Sequence, residues 1–406
     1  MCMSNQRTCD VTIIGGGLAG LSLACLLGQA GVNVICADRT PAGQAYTADE
    51  RTTAISYGSQ KVLERIGVWE KLEPVACPIR DIHILDGADS PLLLQFLSDD
   101  VEGKSFGWII ENATLRAALN DRAADIKAIT HLTGATAHNF EVTPDHATAV
   151  FADGTHIGSA VIIGADGRGS FVRDFMGVDT RTQDYKQRAI VCIINHAHPH
   201  DNKAIEHFYE QGPFAVLPMV SGADGGNRSA VVFTEHGKKT GRGDTMMDLT
   251  ADDFTALLQS KMPESYGAIK LRGERTAYPL SLVHAAEYIA PRMALIADAA
   301  HGIHPVAGQG LNLGFRDVKE MADLIIAAHD AGADLGDSEL LQRYQRRRRP
   351  DNMAMVATTD ALVKLFGAKT PSARFIRKFG LKTVAKIPMA KRFFMRQAMA
   401  DRKMMD

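Results

Sequence analysis

The sequence predicts an α/β fold: a Rossmann-like dinucleotide-binding domain with an inserted mixed β-sheet domain and a helical C-terminal region. Three observations predict it. A complete strand, glycine turn, helix and strand open the chain between Val11 and Asp38. Apolar runs of strand length return far downstream, at Ala160 to Ile163 and Met293 to Ala297, as a parallel sheet fed by long crossovers requires. After Ser338 the pattern is helical.

The elements follow in order. Val11, Ile13 and Ile14 form an apolar run typical of a buried parallel strand. Leu18 to Gln29 has the apolar density of a buried helix, and Gly31 is a natural stop. Val32 to Ala37 reads as the second strand, ending at Asp38. Ser59 to Leu72 reads as one amphipathic helix through Val62, Leu63, Ile66 and Trp69. Glu111 to Ala124 reads as another, with Leu115 and Leu119 on one face. Thr130 to Ile163 breaks into short strand-like runs with turns such as Asp153-Gly154. Between Gln187 and Leu282, strand runs at Ala189 to Ile194 and Ala230 to Phe233 bracket a polar loop and indicate a second, sheet-based domain. Asp298 then leads through a glycine-rich turn into a helix from about Leu311.

At 406 residues the chain exceeds what one compact core usually holds, so two intimately packed domains are expected. A net charge of -2 argues neither for nor against nucleic acid. Arg346-Arg347-Arg348-Arg349 has no aromatic platform or known module beside it, so no nucleic acid is expected. Cys2, Cys9, Cys25, Cys36, Cys77 and Cys192 form no C-x-x-C pair, which points to reduced cytoplasmic thiols rather than a disulfide framework or zinc site. Met1 to Thr8 lacks the order of a signal peptide, and no stretch is apolar enough for a bilayer span.

Gly15-Gly16-Gly17-Leu18-Ala19-Gly20 fits G-x-G-x-x-G with a strand before it and a helix after it. Gly15 permits the tight turn, Gly17 lets backbone approach a pyrophosphate, and Gly20 lets the helix pack closely on the sheet. Free amides of the first helical turn would face the phosphate. Asp38 is placed to accept from an adenosine ribose. The fingerprint alone does not separate FAD from NAD.

Two later segments do so by resemblance. Gly164-Ala165-Asp166-Gly167-Arg168-Gly169-Ser170, with Arg173 beyond, resembles the DG motif of class A flavoprotein monooxygenases. Asp298-Ala299-Ala300-His301, followed by His304-Pro305-Val306-Ala307-Gly308-Gln309-Gly310-Leu311-Asn312-Leu313-Gly314, resembles their GD motif. The chain is similar to class A FAD-dependent aromatic hydroxylases with the p-hydroxybenzoate hydroxylase fold. Within them it resembles the UbiH/UbiF family of ubiquinone-biosynthesis hydroxylases. Asp49 to Ala54, Arg275 with Tyr278-Pro279-Leu280, and Tyr344 to Asp351 with Asp360, Leu365 and Phe366 support this. Where the family usually has glycine before the second acid, this chain has Ala297. A methyl group there is tolerable if φ is negative.

The resemblance implies a discontinuous FAD-binding domain at 1–75, 105–180 and 275–335. It implies a substrate-binding sheet domain at 76–104 and 181–274, and basic amphipathic helices at 336–406. The implied cofactor residues are Gly15, Gly17, Leu18, Ala19, Gly20, Asp38, Arg39, Arg51, Asn112, Ala135 and Asp166, then Asp298, Pro305, Gly308, Gly310, Leu311 and Asn312. His304, Pro305 and Arg51 are the flavin-proximal catalytic candidates; no general base is named. Asp298 also suits a helix N-cap, Asp166 a turn before glycine, and Arg51 a surface cap. No metal is expected: the glycine-rich helix entry has no role in a site built from Asp298, His301 and His304. His196, His198 and His200 alternate in a loop-like stretch, and His207 and Tyr209 lie in the expected substrate domain.

No second dinucleotide fingerprint is visible, so the reductant is expected to be NADPH or NADH bound transiently, or another reductase. The implied reaction is a monooxygenation by O₂ of a polyprenyl-phenol ring in ubiquinone biosynthesis. Alternatives are a monooxygenase on a soluble aromatic, a flavin reductase on isoprenoid double bonds, and a non-catalytic flavin-binding scaffold of a biosynthetic complex. From Arg374 to Lys403, basic residues interleave with Phe375, Phe379, Phe393 and Phe394. That pattern suits docking on the inner face of a membrane, a partner protein in such a complex, or a solvated face over a buried one.

Overall fold

The computed structural model describes residues 6–41, 51–86, 92–209, 212–222, 225–236, 246–304 and 308–367. Pro305, the Asp49-Glu50 pair and the basic tail lie outside these.

A six-stranded sheet carries the glycine turn. Its order is Ile289–Ala290, Met293–Leu295, Val161–Gly164, Val11–Ile14, Val34–Asp38, Ile129–Thr133. All neighbours are parallel except the Ile289–Ala290 edge. Its central strands are buried along their whole length, which explains why they read as continuous apolar runs. Beside it the helix Leu18–Gln29 packs against both Asn112–Asp125 and Gly310–Asp330. A four-stranded sheet from Gln6–Thr8, His156–Ser159, Ala147–Phe151 and Ala137–Val142 accounts for the short runs expected there.

Three expectations need correction. The helix read from Ser59 to Leu72 is two, Tyr57–Ile66 and Trp69–Leu72, because Gly67 takes φ +84° and turns the chain at the first helix's end. The second strand begins at Val34 rather than Val32 and includes Asp38. The strand read to Ala297 stops at Leu295, and Ala297–Ala299 form a 3₁₀ turn.

The second large sheet has eight strands, in the order His301–Gly302, Ile269–Ala285, Thr180–His196, Asn227–His236, Gly212–Met219, Lys203–Tyr209, Asp81–Asp86, Leu94–Leu97. Strand alternation divides its faces. Ile190, Ile205, Tyr209, Phe214, Val216, Val231 and Phe233 form a core with Phe254 and Leu258 of the helix Ala251–Gln259. The opposite face walls a cavity.

The helix Ser338–Gly367 closes the described chain, with Tyr344 donating to the Leu295 carbonyl at 2.9 Å. Two arginines of the run within it are paired in the fold. Arg347 pairs with Glu320 at 2.7 Å, and buried Arg348 pairs with Asp317 at 2.8 Å. Asp317 also accepts from His301 Nε2, from Asn352 Nδ2 at 3.1 Å and from the Ala297 amide at 3.0 Å.

Candidate functional site

The glycine turn has the geometry of a phosphate cradle. Gly15 sits at φ +110°, where a Cβ would lie 2.3 Å from the Ala165 carbonyl oxygen. A Cβ on Gly20 would lie 1.9 Å from the Gly15 oxygen, so both positions exclude side chains. Gly17 is different: a Cβ there meets nothing within 4 Å, because it faces open space. Gly17 is also the N-cap of Leu18–Gln29, with no side-chain cap. The first-turn amides are therefore available to an anion. Gly17, Leu18 and Ala19 line a cavity of about 740 Å³. Arg116, not singled out in the sequence, lines it too, donating to the Gly16 carbonyl at 2.9 Å and lying 3.4 Å from Asp38.

The two later motifs meet at this cavity through arginines. Arg168 reaches Asp298 Oδ2 at 3.2 Å and donates to the carbonyls of Ser281 and Ile303, each at 2.9 Å. Arg173 donates to the Ala299 carbonyl at 3.1 Å and the Arg168 carbonyl at 3.0 Å. Asp298 has no strand or helix to cap; its side chain is 43 % exposed, into the cavity. Its pairing with Arg168 leaves the carboxylate part-exposed to the cavity, where it suits polyol hydroxyls. Asp166 instead turns away, accepting from the Val172 amide at 3.2 Å, and burial raises its carboxyl. This is the turn-aspartate alternative.

Ala297 takes φ +52°, so the condition of negative φ fails: the methyl group sits in the left-handed region. Asp317 holds its amide, and its Cβ packs toward Gly314.

At the far end of the motif, Gly308 at φ +63° leads into Gly310–Asp330. That 21-residue helix has no side-chain cap and no acid in its first turn, so its positive end is open to the cavity beside Gly308, Gly310 and Leu311. The Asn312 side chain is committed elsewhere. It accepts from the Ser56 amide and Ser59 hydroxyl and donates to the Ala54 and Gly308 carbonyls. It locks the helix entry onto the strand Thr52–Ser56, leaving only its backbone for a cofactor. Asn112 lines the cavity and accepts from Thr53 Oγ1. Arg51 is exposed and lines the cavity with its guanidinium 5.0 Å above the Tyr278 ring. His304 is buried in the wall, edge-on to Tyr185, and burial, then Arg168, lowers its pKa to about 4.

Asp38, Arg39 and Ala135 cluster at the end of Val34–Asp38 but do not line the cavity. Asp38 accepts from the Thr40 amide at 2.8 Å, and its carbonyl accepts from Ala135 N at 2.9 Å. The histidine candidates are structural. His196 bonds Ser229 and the His198 carbonyl, and His200 bonds the Met219 carbonyl. Among the described residues no group of His, Cys, Asp or Glu could hold a metal. His207 and Tyr209 stack on each other on the sheet face away from the cavity.

Beyond the flavin end the cavity continues under the eight-stranded sheet. Ile82, Ile84, Phe96, Ala204, Phe208, Pro213, Ala215, Leu217 and Val232 form its wall, and Leu362 and Phe366 close it. Phe208 and Phe366 stack with centroids 3.6 Å apart. Glu206 is the acid in this wall; the sequence signal was a charge in the alternating set Ala204, Glu206, Phe208.

The uncapped cradle, the cavity-facing Asp298 and the apolar chamber fit FAD and a hydrophobic substrate side by side. The chain belongs to the family described as FAD binding domain, whose model matches residues 8–359, and it is a FAD-dependent monooxygenase. It is 39 % identical to ubiquinone hydroxylase UbiL of Rhodospirillum rubrum, over 99 % of this chain and 92 % of that one. It is 28 % identical to 3-demethoxyubiquinol 3-hydroxylase of Escherichia coli, over 98 % of this chain and all of that one. In fold it resembles PqsL of Pseudomonas aeruginosa, solved with 2-aminobenzoylacetate, with a TM-score of 0.78 at 22 % identity over 92 % of this chain and 99 % of that one.

Proposed function

We propose that this protein hydroxylates the aromatic ring of a polyprenyl-phenol intermediate of ubiquinone biosynthesis, using O₂ and electrons from NADPH or NADH. The observation that carries it is the continuity of the cavity from Asp298 and Gly308 to the apolar wall ending at Phe366. Such a chamber admits an aromatic ring at the flavin end and leaves apolar surface for the tail. The named activities of the two relatives above support the same substrate class.

In this reading the diphosphate lies on Gly17, Leu18 and Ala19, the ribityl chain on Asp298, and the adenosine ribose at Asp38. When bound, FAD supplies the redox chemistry, taking two electrons from the nicotinamide and activating O₂. The chain's own residues do the rest. The positive end of Gly310–Asp330 would favour negative charge held beside Gly308 and Gly310 without a mobile cation. The apolar wall excludes water from the reacting ring. His304, neutral at physiological pH, adds no charge beside it. We further propose that the basic segment 374–403 docks on anionic membrane, where such a substrate resides. Among the described residues no helix is long and apolar enough to cross a membrane.

Profiling of quinone intermediates in a deletion strain tests the reading. The expected result is accumulation of a polyprenyl-phenol lacking one ring hydroxyl. An unchanged quinone pool overturns the pathway assignment. Saturation of an isoprenoid double bond without O₂ uptake by the purified enzyme would instead establish the reductase alternative.

A further inference from the structure

We propose that Glu206 is the polar anchor of the substrate chamber: its carboxylate accepts the phenol's hydroxyl and takes that proton as the ring is hydroxylated. The proposal rests on the monooxygenase reading above.

The placement comes from strand register. Glu206 stands opposite Ala215 on one side and Ile84 on the other, and both neighbours face the cavity. Its carboxylate therefore leaves the sheet between two hydrocarbon side chains, in a wall otherwise built from Ile, Phe, Ala, Pro, Leu and Val, with Thr234 as the other polar residue. Glu206 is half-buried, and a carboxylate facing an apolar chamber is costly unless it is paired or used. Among the described residues Glu206 has no hydrogen-bond or charge partner.

The charged groups on neighbouring elements are otherwise placed. Asp86 lies two positions along the adjoining strand, level with Phe208. Lys364 of the closing helix is paired with Asp360 at 2.6 Å, and Glu235 with Arg188 on the other face of the sheet. Arg51, Arg116, Arg168, Asp298 and His304 belong to the flavin end of the cavity. Burial alone acts on Glu206 and raises its carboxyl to about 7. A base poised there is ionised in part at physiological pH and close enough to a phenol to share its proton.

The step balances as follows. The phenol O–H bond breaks and its proton passes to Glu206. The freed electron pair enters the ring, whose ortho or para carbon forms the C–O bond to an oxygen atom drawn from O₂. The hydrogen on that carbon leaves as a proton when the ring regains aromaticity, and Glu206 returns its proton to the phenolic oxygen. The ring loses two electrons. O₂ takes these and two from the nicotinamide, ending as the new hydroxyl and water.

The test compares holoenzyme with the Glu206→Gln variant on a short-chain polyprenyl-phenol, following hydroxylated product, nicotinamide oxidation and peroxide release across pH. Glutamine keeps the shape and an acceptor oxygen but cannot take the proton. Expected are a fall in kcat for hydroxylation of about a hundredfold, a KM within about threefold, and loss of the rising limb near neutral pH. Nicotinamide oxidation continues in the variant but releases peroxide. An unchanged bound-FAD spectrum shows that the variant is folded. Coupled hydroxylation at the wild-type rate, with the limb retained, overturns the proposal. Failure of wild-type enzyme to hydroxylate any polyprenyl-phenol overturns the functional reading, and this proposal with it.

Discussion

A Cβ built on Gly314 would stand 2.8 Å from the Cβ of Ala297. The two positions are coupled: the methyl group that Ala297 carries in place of the usual glycine occupies the space a side chain at Gly314 would need. Ala297 holds φ +52°, where an L-residue is strained by about 1 kcal/mol. Asp317, bonded to its amide, keeps it there.

Ala297→Gly relieves that strain and is expected to stabilise the protein by no more than about 0.5 kcal/mol, since glycine's extra unfolded-state entropy offsets most of the gain. Gly314→Ala alone should destabilise by about 1–3 kcal/mol through overpacking. Combined with Ala297→Gly it should become neutral or stabilising, because alanine is the better helix former by about 1 kcal/mol. Urea denaturation of the four proteins measures the coupling. An equal cost of Gly314→Ala in both backgrounds would show that the two methyl groups do not compete.

The cradle glycines separate folding from cofactor binding. Gly20→Ala drives a methyl group into the Gly15 carbonyl and should lower the melting temperature of apoprotein and holoenzyme alike. Gly17→Ala meets no protein atom and should leave the apoprotein's melting temperature unchanged. It should weaken FAD by about tenfold or more, a change of about 1.4 kcal/mol. Titration of apoprotein with FAD, read by flavin fluorescence, distinguishes the two. Undiminished affinity in the Gly17 variant would remove the diphosphate from that amide.

Asp317 ties the second motif to the C-terminal helix. Burial pushes its carboxyl up, but His301 and Arg348 outweigh this and hold it far below the usual range. Its folded pKa is depressed, so its stabilisation is present above the unfolded value of about 4 and is lost as pH falls toward the folded value. Asp317→Asn leaves buried Arg348 short of its charge partner and should cost about 3–5 kcal/mol at neutral pH. Denaturation at a series of pH values should show a flatter acid limb in the variant. An identical acid limb would mean that Asp317 does not contribute to acid unfolding.

His304 gives the opposite charge type with the same pH trend. Its folded pKa, lowered to about 4 by burial and Arg168, lies below the ordinary histidine value. The folded state therefore binds fewer protons, and stability falls as pH drops from about 6.5 toward about 4. His304→Gln should remove that contribution, so variant and wild type should converge at low pH. Parallel stability curves for the two proteins across that window would count against a neutral buried His304.

The nucleotide half of this protein is legible in the chain alone. The cradle at Gly15 to Gly20 and the strands at Val11, Val34, Val161 and Met293 are local patterns whose spacing encodes their geometry, while the acid Asp298 stands out by the resemblance of its motif. Gly67 splits a helix read as one because its stop signal competed with an unbroken apolar face. The rest emerges on folding, because it depends on contacts between distant segments. Asn312 spends its side chain on the strand Thr52–Ser56, and Asp166 turns inward. Arg168, Arg173, Arg348 and Asp317 become the joints between motifs. Whether Ala297 is strained depends on a dihedral angle that no pattern records. Glu206 was legible only as a charge among apolar neighbours; strand register between three separate segments is what places it in the chamber wall.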